Sequence, residues 1–490
     1  MRKNVCIIIG SLKGGGAERV VGYLSQALYD SFNVYIFIRD NTDITYAYKG
    51  TIVPFSEAYT SGKEITVDET LVILKKKYKI DVSISFLDAL NIANIKSKDK
   101  DKVIISCRCS YTPWIARNSL LEQEIKKYYN HADAIVTCSE GVKYELEEVY
   151  GLDKSIIKTI YNFVDADRIR ALSKEELSSD FLEKLDGNEY FINIGRLDYQ
   201  KNQIKLVEDF SKFKKETGEG YKLVIIGDGE LRESLEDRIR ALSMEKDIIL
   251  MSYCKNPFPY VASAKAFILA SNYEGLPNVL LEAMVLEVPI ISTDCLAGPR
   301  ELVLGEKDYS KQLPDFLVCD RGLLLGKGNK GDYFENTDFE KALTWIACNE
   351  EMLDSIKSAE KSYIRDYCEN SKTRQWLDLI EDVEKKASKK ADFIDRENEI
   401  LSNSECVYIF GAGKVGRIAY NTYSEKYDIK AFIVTKADSD NDSFCGLPVV
   451  SIDDVTVENA TVIIAVGLKT KNEVYDLLLE RKCKKVIAAY

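Results

Sequence analysis

Short apolar runs alternate with amphipathic stretches along most of this chain, and that rhythm leaves few architectures open. Val5–Ile9, Val34–Ile38, Val82–Phe86, Val103–Ser106 and Ala134–Thr137 read as buried strands, with helical spacing at Ala17–Tyr29 and Glu122–Asn130. Strand and helix in turn give βαβ units and a parallel, doubly wound sheet. The rhythm pauses near Tyr161-Asn162-Phe163-Val164-Asp165. It restarts at Tyr190–Ile194, Leu223–Ile226, Ile248–Met251, Ala266–Ala270 and Val288–Ser292. After an expected helix at Ser371–Lys390 and a polar stretch at Asp395–Glu399, a third rhythm opens at Cys406–Phe410. It continues through Ala431–Val434 and Thr461–Val466. A chain of 490 residues is too long for one ordinary core. The expected division is an α/β domain over 1–170, a second over 171–390 with its C-terminal helix, and a small Rossmann-like unit over 403–490.

Bulk properties exclude some functions. A net charge of −12 argues against nucleic-acid binding, which needs a basic face. The first hundred residues nevertheless hold 14 Lys+Arg against 11 Asp+Glu. Lys75, Lys76, Lys77 and Lys79 form the core of a candidate membrane-facing patch, or else a solvated helix face. Twelve cysteines are scattered without a Cys-x-x-Cys, and His131 is the one histidine, so a Cys/His zinc site has little support. Unpaired cysteines suit a reducing cytoplasm. The apolar run after Met1 stops at Gly10, too short for a signal peptide or a span, so any membrane contact is expected to be peripheral.

The chemistry concentrates between Asn193 and Glu301. Gly195-Arg196 and Lys201 follow a strand, where ligands of open α/β sheets bind, and two cations there suit a diphosphate. Gly227-Asp228-Gly229 is a turn that opens a helix, a weak signal alone. In Glu274-Gly275-Leu276-Pro277-Asn278, Gly275 permits a tight turn and Pro277 suits the first helical position. Free amides at that helix start favour an anion. Glu274 and Glu282, in the loop and within the helix, are carboxylates able to accept sugar hydroxyls.

Taken together, Gly195-Arg196 with Lys201, Gly227-Asp228-Gly229, and Glu274-x7-Glu282 resemble the donor half of the GT-B glycosyltransferases of family 4, over roughly residues 4 to 385. The resemblance implies a GT-B fold and a nucleotide-sugar donor. Arg196 and Lys201 would bind the donor diphosphate, Glu274 the transferred sugar and Glu282 the ribose. Transfer would retain anomeric configuration. Gly14-Gly15-Gly16, after the first strand, matches the family's glycine loop on the donor phosphates. Gly227, Gly229, Gly275, Leu276, Pro277 and Asn278 complete the expected donor site. Arg108 stands where many members carry a histidine, and His131 falls where they have a structural residue. Asn162 and Asp165 match a junction element and read as structural. No essential metal is expected, and the Asp-x-Asp at Asp438–Asp440 lies far along the chain from this site.

The segment Ser292–Glu301 resembles bacterial surface-polysaccharide transferases. That implies a UDP-linked hexose or N-acetylhexosamine as donor and a lipid-linked saccharide at the inner membrane leaflet as acceptor. A soluble acceptor, or a regulatory nucleotide-binding protein with an inactive transferase half, are the alternatives. In the third unit, Gly411-Ala412-Gly413-Lys414-Val415-Gly416 has the context of a dinucleotide loop. The acid expected at the next strand's end is missing from Val434-Thr435-Lys436, which argues against NAD. A sugar-nucleotide sensor and a scaffold both remain open for it.

Overall fold

The computed structural model describes residues 2–59, 65–111, 119–217, 220–295, 297–311, 313–326, 338–367, 372–385, 406–424, 427–435, 443–458 and 460–466, with parts of 474–488. The chain divides into two compact units, Met1–Val383 and Glu384–Tyr490. Asp395–Glu399 and Asp438–Asp440 lie outside the described residues.

The first unit holds two seven-stranded sheets. One consists of β1 (Asn4–Ile9), β2 (Asn33–Ile38), β3 (Thr51–Pro54), β4 (Val82–Phe86), β5 (Lys102–Cys107), β6 (Ala134–Thr137) and β7 (Ile157–Thr159), ordered β3-β2-β1-β4-β5-β6-β7. Every pairing in it is parallel. The inner strands are buried along nearly their whole length because helices cover both faces. Among these helices are α1 (Gly16–Leu28) and α2 (Val67–Lys77). The short edge strands β3 and β7 went unread in the sequence. One ends in proline and the other alternates Ile157-Lys158-Thr159, as edges do.

The second sheet consists of β8 (Glu189–Ile194), β9 (Tyr221–Ile226), β10 (Ile248–Met251), β11 (Ala266–Leu269), β12 (Ile290–Thr293), β13 (Phe316–Cys319) and β14 (Gly322–Leu325), ordered β10-β9-β8-β11-β12-β14-β13. The β13–β14 hairpin is antiparallel. Helices α3 (Asn278–Val285) and α4 (Glu350–Tyr363) pack beside it. One hydrophobic cluster joins both sheets' layers, from Cys107, Tyr111 and Cys138 to Leu276, Leu280 and Leu302. The chain then returns to the first sheet: Trp376, Leu379, Ile380 and Val383 of the helix over 372–385 pack with Val5, Ile7 and Val82. These two doubly wound sheets are the expected GT-B fold.

Packing removes Lys75 from the expected basic patch on and after α2. Thr66 and Glu69 form a capping box that fixes the start of the helix. Its register turns Lys75 inward, where it is buried and meets Asp101 at 2.9 Å. Lys77 pairs with Glu57 at 2.7 Å. Lys76 and Lys79 are left exposed, beside exposed Val72 and Ile73. No described helix is long and apolar enough to cross a membrane.

Glu360 on α4 is fully buried, and neither carboxylate oxygen has a hydrogen-bond partner among the described residues. Burial, reinforced by Glu287, pushes its carboxyl well above the usual range. A carboxyl raised in the folded state stabilises at low pH, and that contribution is lost as pH rises above its unfolded value of about 4.3. Glu360→Met is therefore expected to raise the unfolding free energy by about 2 kcal/mol at pH 8. The gain shrinks toward pH 4, as denaturant titration at the two pH values would read out.

The second unit carries a six-stranded sheet of β15 (Val407–Phe410), β16 (Ile429–Val434), β17 (Ser443–Phe444), β18 (Leu447–Ser451), β19 (Thr461–Ile464) and β20 (Lys485–Ala488), ordered β17-β18-β16-β15-β19-β20. Helix α5 (Lys414–Tyr423) follows β15.

Candidate active site

Strand order decides where a ligand can sit. In the second sheet β8 lies between β9 and β11, so the winding reverses there, and the carboxyl ends of β8 and β11 flank the crevice. Arg196 and Lys201 follow β8, and Glu274 follows β11. Lys201 Nζ reaches Glu274 Oε1 at 2.5 Å, and Ser271 Oγ donates to the same oxygen at 2.7 Å. The two loops are stitched further, since Gln200 Nε2 donates to Tyr273 O at 3.0 Å and Asn272 Nδ2 to Tyr199 O at 2.7 Å. Glu274 is only 6% exposed. Arg196 is mostly exposed, its Nη2 lying 3.2 Å from Gln200 Oε1 and 3.2 Å from Asp198 Oδ2. The five-residue spacing thus separates the two cations by role, one buried on a carboxylate and one open.

Gly227 and Gly229 sit beneath this loop. A Cβ on Gly227 would fall 1.9 Å from Gly195 O, so the missing side chain admits the neighbouring backbone. Gly275 needs glycine for the same reason, because a Cβ there would lie 2.1 Å from Arg108 O. Cys109 and Gly275 form an antiparallel bridge, and Ser110 N donates to Glu274 O at 2.9 Å. The end of β5 is thereby held against the Glu274 loop. Leu276 is buried, and Pro277 caps the helix in an extended conformation, so α3 begins one residue later than the sequence implied.

Arg108 is drawn into the same place. Its Nη1 donates to Asn162 Oδ1 at 2.8 Å, and the guanidinium lies 4.9 Å from the Phe86 ring centroid. Nε and Nη2 are buried and have no hydrogen-bond partner among the described residues. Burial lowers this guanidinium's affinity for its proton. Asn162 Nδ2 donates to Leu276 O at 3.1 Å and to Asn278 Oδ1 at 2.7 Å, and Asn278 Nδ2 reaches Gly16 O at 3.4 Å. A single chain of contacts therefore runs from Arg108 to the glycine loop. Glu282, buried on α3, is ion-paired with Arg19 of α1. His131 is exposed, and its carbonyl accepts from Lys98 Nζ at 3.1 Å.

Three groups went unread. Glu301 is 1% exposed and accepts from Glu140 N and Gly141 N, both at 2.9 Å, Tyr161 Oη at 2.7 Å and Tyr309 Oη at 2.6 Å. It joins the second sheet's layer to the start of the helix Glu140–Tyr144 in the first. At the end of β4, where the first sheet's winding reverses, Leu87 holds φ 72° and ψ 146°, a strained backbone for a side-chain-bearing residue. Beside it Asp88 Oδ1 accepts from Tyr111 Oη at 2.7 Å and Tyr129 Oη at 2.9 Å, and burial raises its carboxyl. Its place directly after an apolar run was the available signal. The third group, Glu18 and Arg19, stands one residue beyond the glycines.

In the second unit, Gly411 to Gly413 connect β15 to α5. A Cβ on Gly416 would fall 1.9 Å from Gly411 O, so this glycine lets helix and strand approach, whereas Gly413 faces open space. Among the described residues, no group of three His, Cys, Asp or Glu side chains is placed to hold a metal ion.

Comparison with known proteins agrees with this geometry. The family description "Glycosyltransferase Family 4" matches residues 14–168, and "Glycosyl transferases group 1" matches residues 174–310. An uncharacterized glycosyltransferase of Methanocaldococcus jannaschii is 32% identical over 262 residues, which are 49% of this chain and 64% of that protein. A Campylobacter jejuni N-acetylgalactosaminyltransferase, named for a diphospho-undecaprenol acceptor, is 28% identical over 67% of this chain and 87% of its own length. The crystal structure of Anabaena HepE in complex with UDP-glucose aligns with TM-score 0.62 at 14% identity, covering 77% of this chain and 99% of that one.

Proposed function

The chain belongs to family 4 of the GT-B glycosyltransferases, and on that footing we propose that residues 1–383 transfer a sugar in bacterial surface-polysaccharide synthesis. The donor is a UDP-linked hexose or N-acetylhexosamine. The acceptor is a saccharide carried on a lipid diphosphate, as in the name of the Campylobacter relative. The observation that carries this reading is the buried Lys201–Glu274 pair at the winding reversal of the second sheet.

Arg196 and Lys201 take the donor diphosphate, together with the first-turn amides of α3 that follow Gly275-Leu276-Pro277-Asn278. Gly15 and Gly16 close on it from the first sheet. Glu282 accepts the ribose hydroxyls, and Gly227 and Gly229 shape the floor. As the leaving diphosphate gains charge, these cations and amides stabilise it in place of a metal. Glu274 shares its charge with Lys201 and Ser271, which suits hydroxyl positioning better than covalent attack. Arg108, whose Nε and Nη2 have no hydrogen-bond partner among the described residues, is the group assigned to face the transferred sugar. Retention is the outcome expected of the family, and with Glu274 engaged by Lys201 and Ser271 it is reached by front-face displacement rather than through a covalent intermediate. Lys76, Val72 and Ile73 on α2, with Lys79 just beyond its end, favour peripheral contact with an anionic membrane on the cytoplasmic side. The second unit serves as a nucleotide sensor or a scaffold.

The test is transfer from UDP-N-acetylglucosamine, UDP-N-acetylgalactosamine and UDP-glucose to an undecaprenyl-diphosphate-linked monosaccharide. The product anomer is read by NMR, with and without EDTA. Retained configuration and unchanged turnover in EDTA are expected. Inversion, or turnover abolished by EDTA, contradicts the mechanism.

A further inference from the structure

The first turn of α1 carries an acid and a base side by side: the acid covers its own glycine loop, and the base meets a buried carboxylate of the opposite layer. The Glu18 carboxylate folds back over the glycine loop. Its Oε2 lies 2.1 Å from where a Cβ of Gly15 would stand, so it covers the bare backbone. Burial raises this carboxyl, and the charge of Arg196 draws it down. Arg19, 5.5 Å from the Tyr46 ring centroid, ion-pairs with Glu282, whose side chain is 6% exposed.

Glu18 thus lays its carboxylate over the glycine loop that takes the donor phosphates. Arg19 sets its cation against the buried carboxylate Glu282. A nucleoside diphosphate offers the same two features, an anion at its diphosphate and hydroxyl donors at its ribose. We propose that Glu18 and Arg19 are an internal occupant of the donor site, which the nucleotide displaces: its diphosphate takes Glu18's place over Gly15, and its ribose takes Arg19's place at Glu282. This rests on the donor reading given above and adds to it a self-sealed empty state.

The physical reason for such a seal is the cost of a bare buried charge. Glu282 without a partner would be strongly disfavoured, and Arg19 compensates it until hydroxyls arrive. Donor entry is then an exchange in which charges stay compensated. The same exchange breaks the contact between α1 and α3, so occupancy of the site is coupled to release of the first turn of α1.

Calorimetric titration with UDP, GDP and ADP tests this on the full chain, on Glu18→Gln and on Arg19→Met, which keeps the apolar stem over Tyr46. Removing either competitor is expected to tighten nucleotide binding about fivefold, the scale of one partly exposed ion pair. Unchanged or weaker binding by either folded variant overturns the proposal, since groups that merely hold the donor lose affinity when removed. Where Arg19→Met does not fold, Glu18→Gln decides alone. A wild-type chain that binds none of the three nucleotides contradicts the donor reading itself, and this inference with it.

Discussion

Lys201→Ala is expected to lower kcat about a thousandfold, and Glu274→Gln about a hundredfold. The two effects differ because the residues do different work. Lys201 places its ammonium 2.5 Å from Glu274, beneath the loop that carries Arg196. Without it the leaving diphosphate loses a buried cation, and Glu274 keeps the Ser271 hydroxyl as a neutral partner. That unpaired carboxylate, 6% exposed, becomes a charge with poor compensation, so the variant is penalised twice. Glu274→Gln keeps an oxygen that accepts a sugar hydroxyl and removes the charge. It also leaves Lys201 free for phosphate. Its donor KM is therefore expected to change less than its kcat. Steady-state kinetics on both variants, with circular dichroism to show that they are folded, reads this out. Near-wild-type turnover in both contradicts the assignment.

The second large effect is structural. Glu301→Ala removes the acceptor of four hydrogen bonds at once, from Glu140 N, Gly141 N, Tyr161 Oη and Tyr309 Oη. Hydrogen bonds to a charged group contribute more than neutral ones, and the four donors cannot all find water in a site 1% exposed. The expected loss is about 4 kcal/mol in denaturant unfolding. Glu301→Gln keeps one oxygen and is expected to lose about half of that. Because Glu301 fastens the layers on which Arg108 and Glu274 ride, donor KM should rise in the glutamine variant even where the fold holds.

Much of this was legible because both the periodicity and the donor motif are local. The strand ends at Ile194 and Leu269 follow from apolar runs, and a winding reversal then brings Lys201 and Glu274 together although 73 positions separate them. Edge strands escaped because three or four mixed residues carry no periodic signal. The α2 lysines misled at Lys75, because three cations in a row look solvated. A helix must nevertheless turn one of every few residues inward, and Lys75 found Asp101 there. Arg19 and Glu301 were invisible for a different reason: a single charged residue declares its partner only when the fold supplies it. Asp228, by contrast, sits in a legible turn yet serves locally, holding Arg232 at 2.9 Å and Tyr253 N at 2.7 Å.

The central claim is that the stretch from Asn193 to Glu301 binds and activates a nucleotide sugar. Donor hydrolysis across UDP-, GDP- and ADP-sugars, by the wild-type chain and by Lys201→Ala, tests it most directly. Release of nucleoside diphosphate from UDP-sugars by the wild type, lost in Lys201→Ala, is the predicted result. No release from any of the donors, or equal release by both proteins, would contradict it.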